Sequence, residues 1–277
     1  MRKAIVFSVA LSSVAAFAIP QAPVVTYGFV RDEYGNPLAD SAALTLKLVK
    51  NAEPEGLVYA STIVGTTAYP GMNYRVALEI DSEGPSRKYA VLKGTEMRIR
   101  FLTDGVEQAV TPNPVFVTPM NGTAQRLDFS LGEDADGDGM PDAWERWVLA
   151  ADGRASDSAA VAAFTPNADA DGDGMSNYRE FLAGTDPFID TDIFEITEFV
   201  RDATTGKTRI SFTTVPGRTY RLVATSSLSD PVWNPVAASR DIAGPSAYET
   251  YPGTGRLITL YFNASTATAA FFRIAAQ

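Results

Sequence analysis

The chain has 277 residues, 45% hydrophobic and 20% charged, with a formal net charge of −10 and neither His nor Cys. This composition excludes wholesale disorder, and at roughly 100–200 residues per domain the length predicts two domains or a string of smaller modules. Without His or Cys there is no Ser-His-Asp or Cys-His catalysis, no zinc site built on His, no disulfide and no iron–sulfur cluster.

The N-terminus reads as an address. Arg2 and Lys3 precede an apolar run from Ala4 to Ala15, and Ala16-Phe17-Ala18 has the small-x-small pattern of a cleavage site. Residues 1–18 are expected to be an export signal cut after Ala18. The run is too short to span a bilayer, Pro20 follows it, and no later stretch reaches 18 uninterrupted apolar residues. The mature chain is therefore expected to be soluble, not transmembrane, and secreted, periplasmic or held at the cell surface.

Residues 22–131 alternate apolar and polar positions in short runs. Ala43 to Val49, Tyr74 to Ile80 and Met97 to Leu102 each put apolar side chains on one face, the period-2 signature of antiparallel strands with one face buried. Turn signals separate them: Tyr34-Gly35-Asn36-Pro37, Pro70-Gly71-Met72-Asn73 and Thr103-Asp104-Gly105. Six or seven such strands predict a β-sandwich of about 110 residues. The opening, Tyr27-Gly28-Phe29-Val30-Arg31-Asp32-Glu33-Tyr34-Gly35-Asn36-Pro37-Leu38-Ala39-Asp40, resembles the first hairpin of carboxypeptidase-regulatory-like domains. That resemblance implies a small prealbumin-like sandwich acting as a non-catalytic spacer or binding module.

Residues 133–192 carry the charge: 15 acids against three bases, Arg146, Arg154 and Arg179, while the rest of the chain has 18 acids and 20 bases. A nucleic-acid partner would want the opposite sign, so the block is expected to be either a solvated stretch or a cation site. Asp134-x-Asp136-x-Asp138-Gly139-x5-Glu145 fits the calcium-loop pattern, and Asp169-x-Asp171-x-Asp173-Gly174-x5-Glu180 repeats it 35 residues later. Calcium takes about six to eight oxygens; residues one, three and five of the loop turn their carboxylates inward. Gly at six permits the sharp turn, residue seven offers its carbonyl, and Glu at twelve closes the shell. One ion is thus expected on Asp134, Asp136, Asp138, the Met140 carbonyl, Asp142 through water, and Glu145. A second is expected on Asp169, Asp171, Asp173, the Met175 carbonyl, Asn177 and Glu180.

Each loop runs into a predicted short helix. Trp144, Trp147, Val148 and Ala151 form an i, i+3, i+4, i+7 stripe stopped by Gly153; Tyr178, Phe181 and Leu182 form a second, stopped by Gly184 and Pro187. Trp144 and Trp147 are expected to pack beneath the loops, the alternative reading being aromatic platforms that stack on sugars. Arg126 to Leu131 reads as a strand, so no helix enters loop one, and Pro141 at position eight has no N–H for an EF-hand ladder. The pattern from Asp136-Gly-Asp138-Gly-Met-Pro-Asp-Ala-Trp-Glu145 through Asp171-Gly-Asp173-Gly-Met-Ser-Asn-Tyr-Arg-Glu180-Phe-Leu-Ala-Gly-Thr-Asp-Pro187 resembles bacterial thrombospondin type-3-like repeats. The resemblance implies calcium-dependent rigidity in a segment joining extracellular β modules.

Residues 193–277 return to β texture. Thr208 to Phe212 and Thr219 to Val223 read as a hairpin around Val215-Pro216-Gly217-Arg218, with Ile258 to Phe262 and Phe271 to Ile274 as closing strands. Pro216 to Leu222, Trp233 and Phe271 to Ile274 resemble the C-terminal β modules of exported proteins from the Planctomycetes–Verrucomicrobia group.

The expected fold is mainly β: two β-sandwich-like modules joined by a small calcium-loop and short-helix segment. The expected function is that of an exported, non-enzymatic calcium-binding protein with a structural, adhesive or surface-interaction role, its further partner a cell-surface glycan or another extracellular protein. The alternative is a dockerin-like or carbohydrate-binding accessory module of an extracellular polysaccharide-degrading system. Acids outside the loops, such as Asp32, Glu79 and Glu198, sit in no recognisable catalytic setting.

Overall fold

The computed structural model describes residues 22–38, 44–65, 72–81, 88–119, 122–216, 218–229, 233–247, 250–264 and 271–276. The expected export signal and its cleavage point lie outside them, as do Ala39, Asp40 and Ala43, Pro70 and Gly71, and Gly217 of the expected Pro-Gly turn. The fold is mainly β. Among the described residues no helix is long and apolar enough to cross a membrane.

The first twelve strands are β1 (Val24–Gly28), β2 (Val30–Arg31), β3 (Leu44–Lys50), β4 (Ala60–Ile63), β5 (Tyr74–Asp81), β6 (Ala90–Leu92), β7 (Glu96–Thr103), β8 (Val106–Glu107), β9 (Val110–Thr111), β10 (Val115–Val117), β11 (Ala124–Arg126) and β12 (Phe129–Leu131). They form sheets in the orders β11-β1-β5-β6, β10-β7-β3-β4 with β8 on β7, and β2-β12-β9. The alternation in sequence becomes alternation in burial: Tyr74, Val76, Leu78 and Ile80 of β5 point inward while Arg75, Ala77 and Glu79 stay outside. Together with Leu46, Leu48, Met97, Ile99 and Phe101 they make one core, each fully buried side chain contributing about 1.5–3 kcal/mol. The expectation of antiparallel pairing throughout is corrected in three places, because β1–β11, β5–β6 and β2–β12 are parallel. Period-2 patterning reports which face is buried and carries no information on the direction of the neighbour.

A tight turn follows β2. Asp32 Oδ1 accepts the N–H groups of Tyr34 and Asn36 at 2.9 and 2.8 Å, and Gly35 takes φ +83°. Buried Asn73 latches this end of the module: its Nδ2 donates to Val30 O and its Oδ1 accepts from Val30 N, both at 2.7 Å. The turn therefore holds Tyr34 in a fixed place.

Next come three helices: α1 (Asp142–Ala151), α2 (Ser158–Ala163) and α3 (Asn177–Ala183). Met140, Trp144, Val148, Leu149, Val161, Phe164 and Phe181 form a separate core beneath them. Trp144 stacks at a tilt on Phe181 with centroids 5.0 Å apart, and on Phe164 at 6.1 Å. Gly184 ends α3 in the left-handed conformation, φ +82°, and returns its N–H to Glu180 O. Trp147 departs from expectation: it is 57% exposed whereas Trp144 is 3% exposed. The inward face of α1 is Asp142, Trp144, Glu145, Val148 and Leu149, so two acidic side chains share it and the apolar stripe is rotated away from Trp147 and Ala151. Tyr178 of α3 is likewise exposed, while Asn177, Glu180, Phe181 and Ala183 are buried. Helix α2 was not signalled by an apolar stripe; its start is set by Asp157, whose side chain accepts the N–H groups of Ala159 and Ala160.

The last strands are β13 (Ile196–Arg201), β14 (Thr208–Thr213), β15 (Thr219–Thr225), β16 (Asn234–Pro235), β17 (Ala238–Ser239), β18 (Tyr251–Pro252), β19 (Leu257–Phe262) and β20 (Phe271–Ala276). They form two sheets, β13-β14-β19-β17 and β16-β15-β18 with β20 on β15. Phe212, Tyr220, Leu222, Leu260 and Phe262 fill the core that they enclose. The expected hairpin is corrected here: β14 and β15 do not pair, and the connection through Val215, Pro216 and Arg218 crosses from one sheet to the other. Two alternating runs around a Pro-Gly signal fit a sheet-to-sheet crossing as well as a hairpin, because the alternation fixes only the buried face.

Candidate metal centre

Loop one begins directly after β12 and loop two follows α2 by a short connection. In loop one Asp134 organises the backbone. Its Oδ1 accepts from Gly137 N at 2.7 Å and Asp138 N at 3.1 Å, and its Oδ2 accepts from Gly139 N at 3.0 Å. Thr111 on β9 also donates to Asp134 Oδ2, at 2.6 Å, and so ties the loop to the first sheet system. Gly137 and Gly139 take φ +74° and +100°, values that a side chain would strain. Loop two repeats the scheme: Asp169 accepts from Gly172 N at 2.7 Å and Gly174 N at 3.0 Å, and Asp173 Oδ1 accepts from Met175 N at 2.6 Å.

These turns gather the acids. One carboxylate oxygen from each of Asp134, Asp136 and Asp138 lies within 4.8 Å of the others, and Asp169, Asp171 and Asp173 form an equivalent group. Glu145 and Glu180, the twelfth residues, are both fully buried below their loops. Among the described residues, seven buried side-chain oxygens in the two loops have no hydrogen-bond partner: Asp138 Oδ2, both oxygens of Glu145, Asp171 Oδ2, Asp173 Oδ2, Asn177 Oδ1 and Glu180 Oε2. Burying an unpartnered carboxylate is costly, so this arrangement asks for a cation. The donors are oxygens only, which suits a hard ion such as calcium.

The same strain shows in acidity. Burial, and then the charges of Asp138, Asp136, Asp142 and Asp134, push the Glu145 carboxyl up to about 9. Burial, followed by Asp171 and Asp173, pushes Glu180 up to about 8. Asp138 rises to about 6, chiefly through burial.

The remaining expected ligands differ in their surroundings. Asp142 is buried, but its oxygens are engaged: Oδ1 accepts from Ala135 N at 2.9 Å and Oδ2 from Arg146 Nη2 at 2.8 Å. Asn177, its counterpart, donates from Nδ2 to Thr165 O at 2.9 Å and keeps Oδ1 unpartnered. Met140 is fully buried and gives its N–H to Asp138 Oδ1 at 2.9 Å, while Met175 is half-buried. Four supporting residues were not foreseen: Thr111, Arg146, Thr165 and Thr185, whose hydroxyl donates to Glu180 Oε1 at 3.3 Å. Arg146 was detectable, since it stands four residues after Asp142 on a predicted helix. Thr111 lies 23 residues before its partner, with no local signal to connect them.

Residues 169–188 match the family profile of the bacterial TSP3 repeat, a calcium-binding structural module. The matched stretch covers the second loop, α3 and the turn that follows. No curated protein and no solved structure matches the chain.

Proposed function

We propose that the chain is an exported, non-enzymatic protein in which two calcium ions rigidify the segment 133–192 between a β module at 22–131 and a second at 193–277. The observation that carries this reading is the set of unpartnered buried oxygens converging under both loops, with Glu145 and Glu180 fully buried and no cationic side chain among the described residues paired to either. Asp134, Asp136, Asp138, Glu145 and the Met140 carbonyl hold the first ion, with Asp142 acting through water because its oxygens already serve Ala135 and Arg146. Asp169, Asp171, Asp173, Asn177, Glu180 and the Met175 carbonyl hold the second. Calcium supplies the positive charge that these carboxylates lack, and so joins each loop to the first turn of its helix.

Rigidity then reaches both neighbours. Thr111 fastens loop one to β9, and Arg218, at the head of β15, donates from Nη2 to Phe181 O at 2.7 Å, one residue beyond Glu180. The prealbumin-like character of the first module and the source group of the last belong to the same proposal, resting on the residues quoted above.

Asp138→Ala combined with Asp173→Ala tests it. Small-angle scattering is expected to show compaction when calcium is added to the unsubstituted chain, and the variant is expected to lose both that compaction and calcium uptake. Both β modules should stay folded, because the segment's core shares no residue with either of theirs. Unchanged calcium uptake by the variant would overturn the ligand assignment.

A further inference from the structure

The first β module, the calcium segment and the last module meet around a cleft of about 660 Å³. Its volume lies in the range of small-molecule sites. Tyr34 enters from the turn after β2 and Trp147 from the outer face of α1, 43% and 57% exposed, their rings edge to face at 6.5 Å. Neither ring is used by a core. Trp144 already fills the space beneath α1, and Trp147 confers no helix propensity worth its exposed area.

The polar groups around these rings are few and fixed. Asn36 lies on the same turn as Tyr34, its amide nitrogen 3.2 Å from Asp32 Oδ2. Asp186 and Asp192 are held by the turn after α3, where Asp192 Oδ2 accepts from Asp186 N at 3.0 Å and Asp186 Oδ1 from Phe188 N at 3.1 Å. The other oxygen of each has no partner among the described residues. Arg218 lies at the floor and is 4% exposed; beyond its bond to Phe181 O, its Nε and Nη1 have no partner among the described residues. Gly35 and Gly184 make room for this guanidinium, since a Cβ on either would stand 2.7 Å from Nη2 or 3.2 Å from Nε. A buried guanidinium with two idle nitrogens, three N–H donors between them, calls for oxygen acceptors.

We propose that this cleft binds a neutral oligosaccharide, with Trp147 and Tyr34 as platforms for the C–H faces of sugar rings. A pyranose has an apolar face and a rim of hydroxyls that both donate and accept, matching two exposed rings bordered by carboxylates, an amide and a guanidinium. The two carboxylates on the rim disfavour uronate or sulfated sugars. They also disfavour nucleotides, whose bases could stack on the same rings but whose phosphates would meet Asp186, Asp192 and a segment rich in acids. The proposal goes beyond the calcium reading and does not rest on it, since no residue of the cleft is an expected calcium ligand.

The test is a printed array of neutral and acidic oligosaccharides probed with the full mature chain in calcium, followed by titration of the best neutral hit against Trp fluorescence. The expected result is saturable binding of at least one neutral saccharide, weakened about tenfold or more in Trp147→Ala and in Tyr34→Ala, with melting temperature and calcium uptake unchanged in both. The absence of any neutral hit, a preference for acidic saccharides, or binding that survives both substitutions would overturn it.

Discussion

Calcium uptake is expected to expel protons. At pH 7, two units below its value of about 9, the Glu145 carboxyl is about 99% protonated when no cation is bound; Glu180, at about 8, is about 91% protonated. A calcium ion takes the ionised form, so these two carboxyls together release about 1.9 protons at pH 7. The cost of that release weakens affinity relative to the fully ionised limit by on the order of 100-fold at loop one and tenfold at loop two. Affinity therefore rises with pH and levels off first at loop two, near pH 8, and then at loop one, near pH 9. Calorimetry in PIPES and in Tris reads the protons directly, since the apparent enthalpy shifts with the buffer's own heat of ionisation. Identical heats in both buffers, with affinity unchanged between about pH 7 and 9, would refute the reasoning from Glu145 and Glu180.

Three further outcomes are expected. With calcium chelated, stability should fall as pH rises from about 5 to about 8. The two buried Glu carboxyls hold protons in the folded chain that the unfolded chain has already lost, so thermal melting that rises over that window would contradict the assignment. Trp144→Ala should cost about 3–5 kcal/mol in chemical denaturation of the calcium segment, because Trp144 packs on Phe181 and Phe164, whereas Trp147→Ala should change it by less than about 0.5 kcal/mol. Equal effects would refute the division between buried and exposed Trp. Gly184→Ala should cost about 1 kcal/mol or more, since φ is +82° and its Cβ would stand 3.0 Å from Val215 Cγ1. It should also speed proteolysis between α3 and β13; an unchanged denaturation midpoint would count against the junction.

Much of the candidate site was legible because the chemistry of a calcium loop is local. Asp134, Asp136, Asp138 and Gly139 lie within six residues, and the turn that brings their oxygens together is encoded by the same residues that supply them. The strands were legible for the same reason: alternation in Tyr74 to Ile80 is the burial pattern itself. Partnering was not. Nothing between Thr208 and Val223 distinguishes a hairpin from a crossing between sheets, and nothing near Val25 announces a parallel neighbour at Ala124. The misplaced Trp147 has a different origin. An apolar stripe assumes that the inward face is apolar, but Asp142 and Glu145 occupy that face of α1 for the sake of the loop, and the stripe turns with them. Tyr34 on Trp147 and Arg218 on Phe181 join residues 113 and 37 positions apart, where short-range patterning carries no information.

The central claim is that the acidic segment is a pair of calcium sites. Calorimetric titration of calcium into the chelator-stripped protein tests it most directly. Two saturable sites per chain are predicted, with loop one, which has five carboxylates against four plus Asn177 in loop two, binding more tightly once the pH is above about 9. A titration with no saturable binding would contradict it and leave the buried Glu145 and Glu180 without a partner.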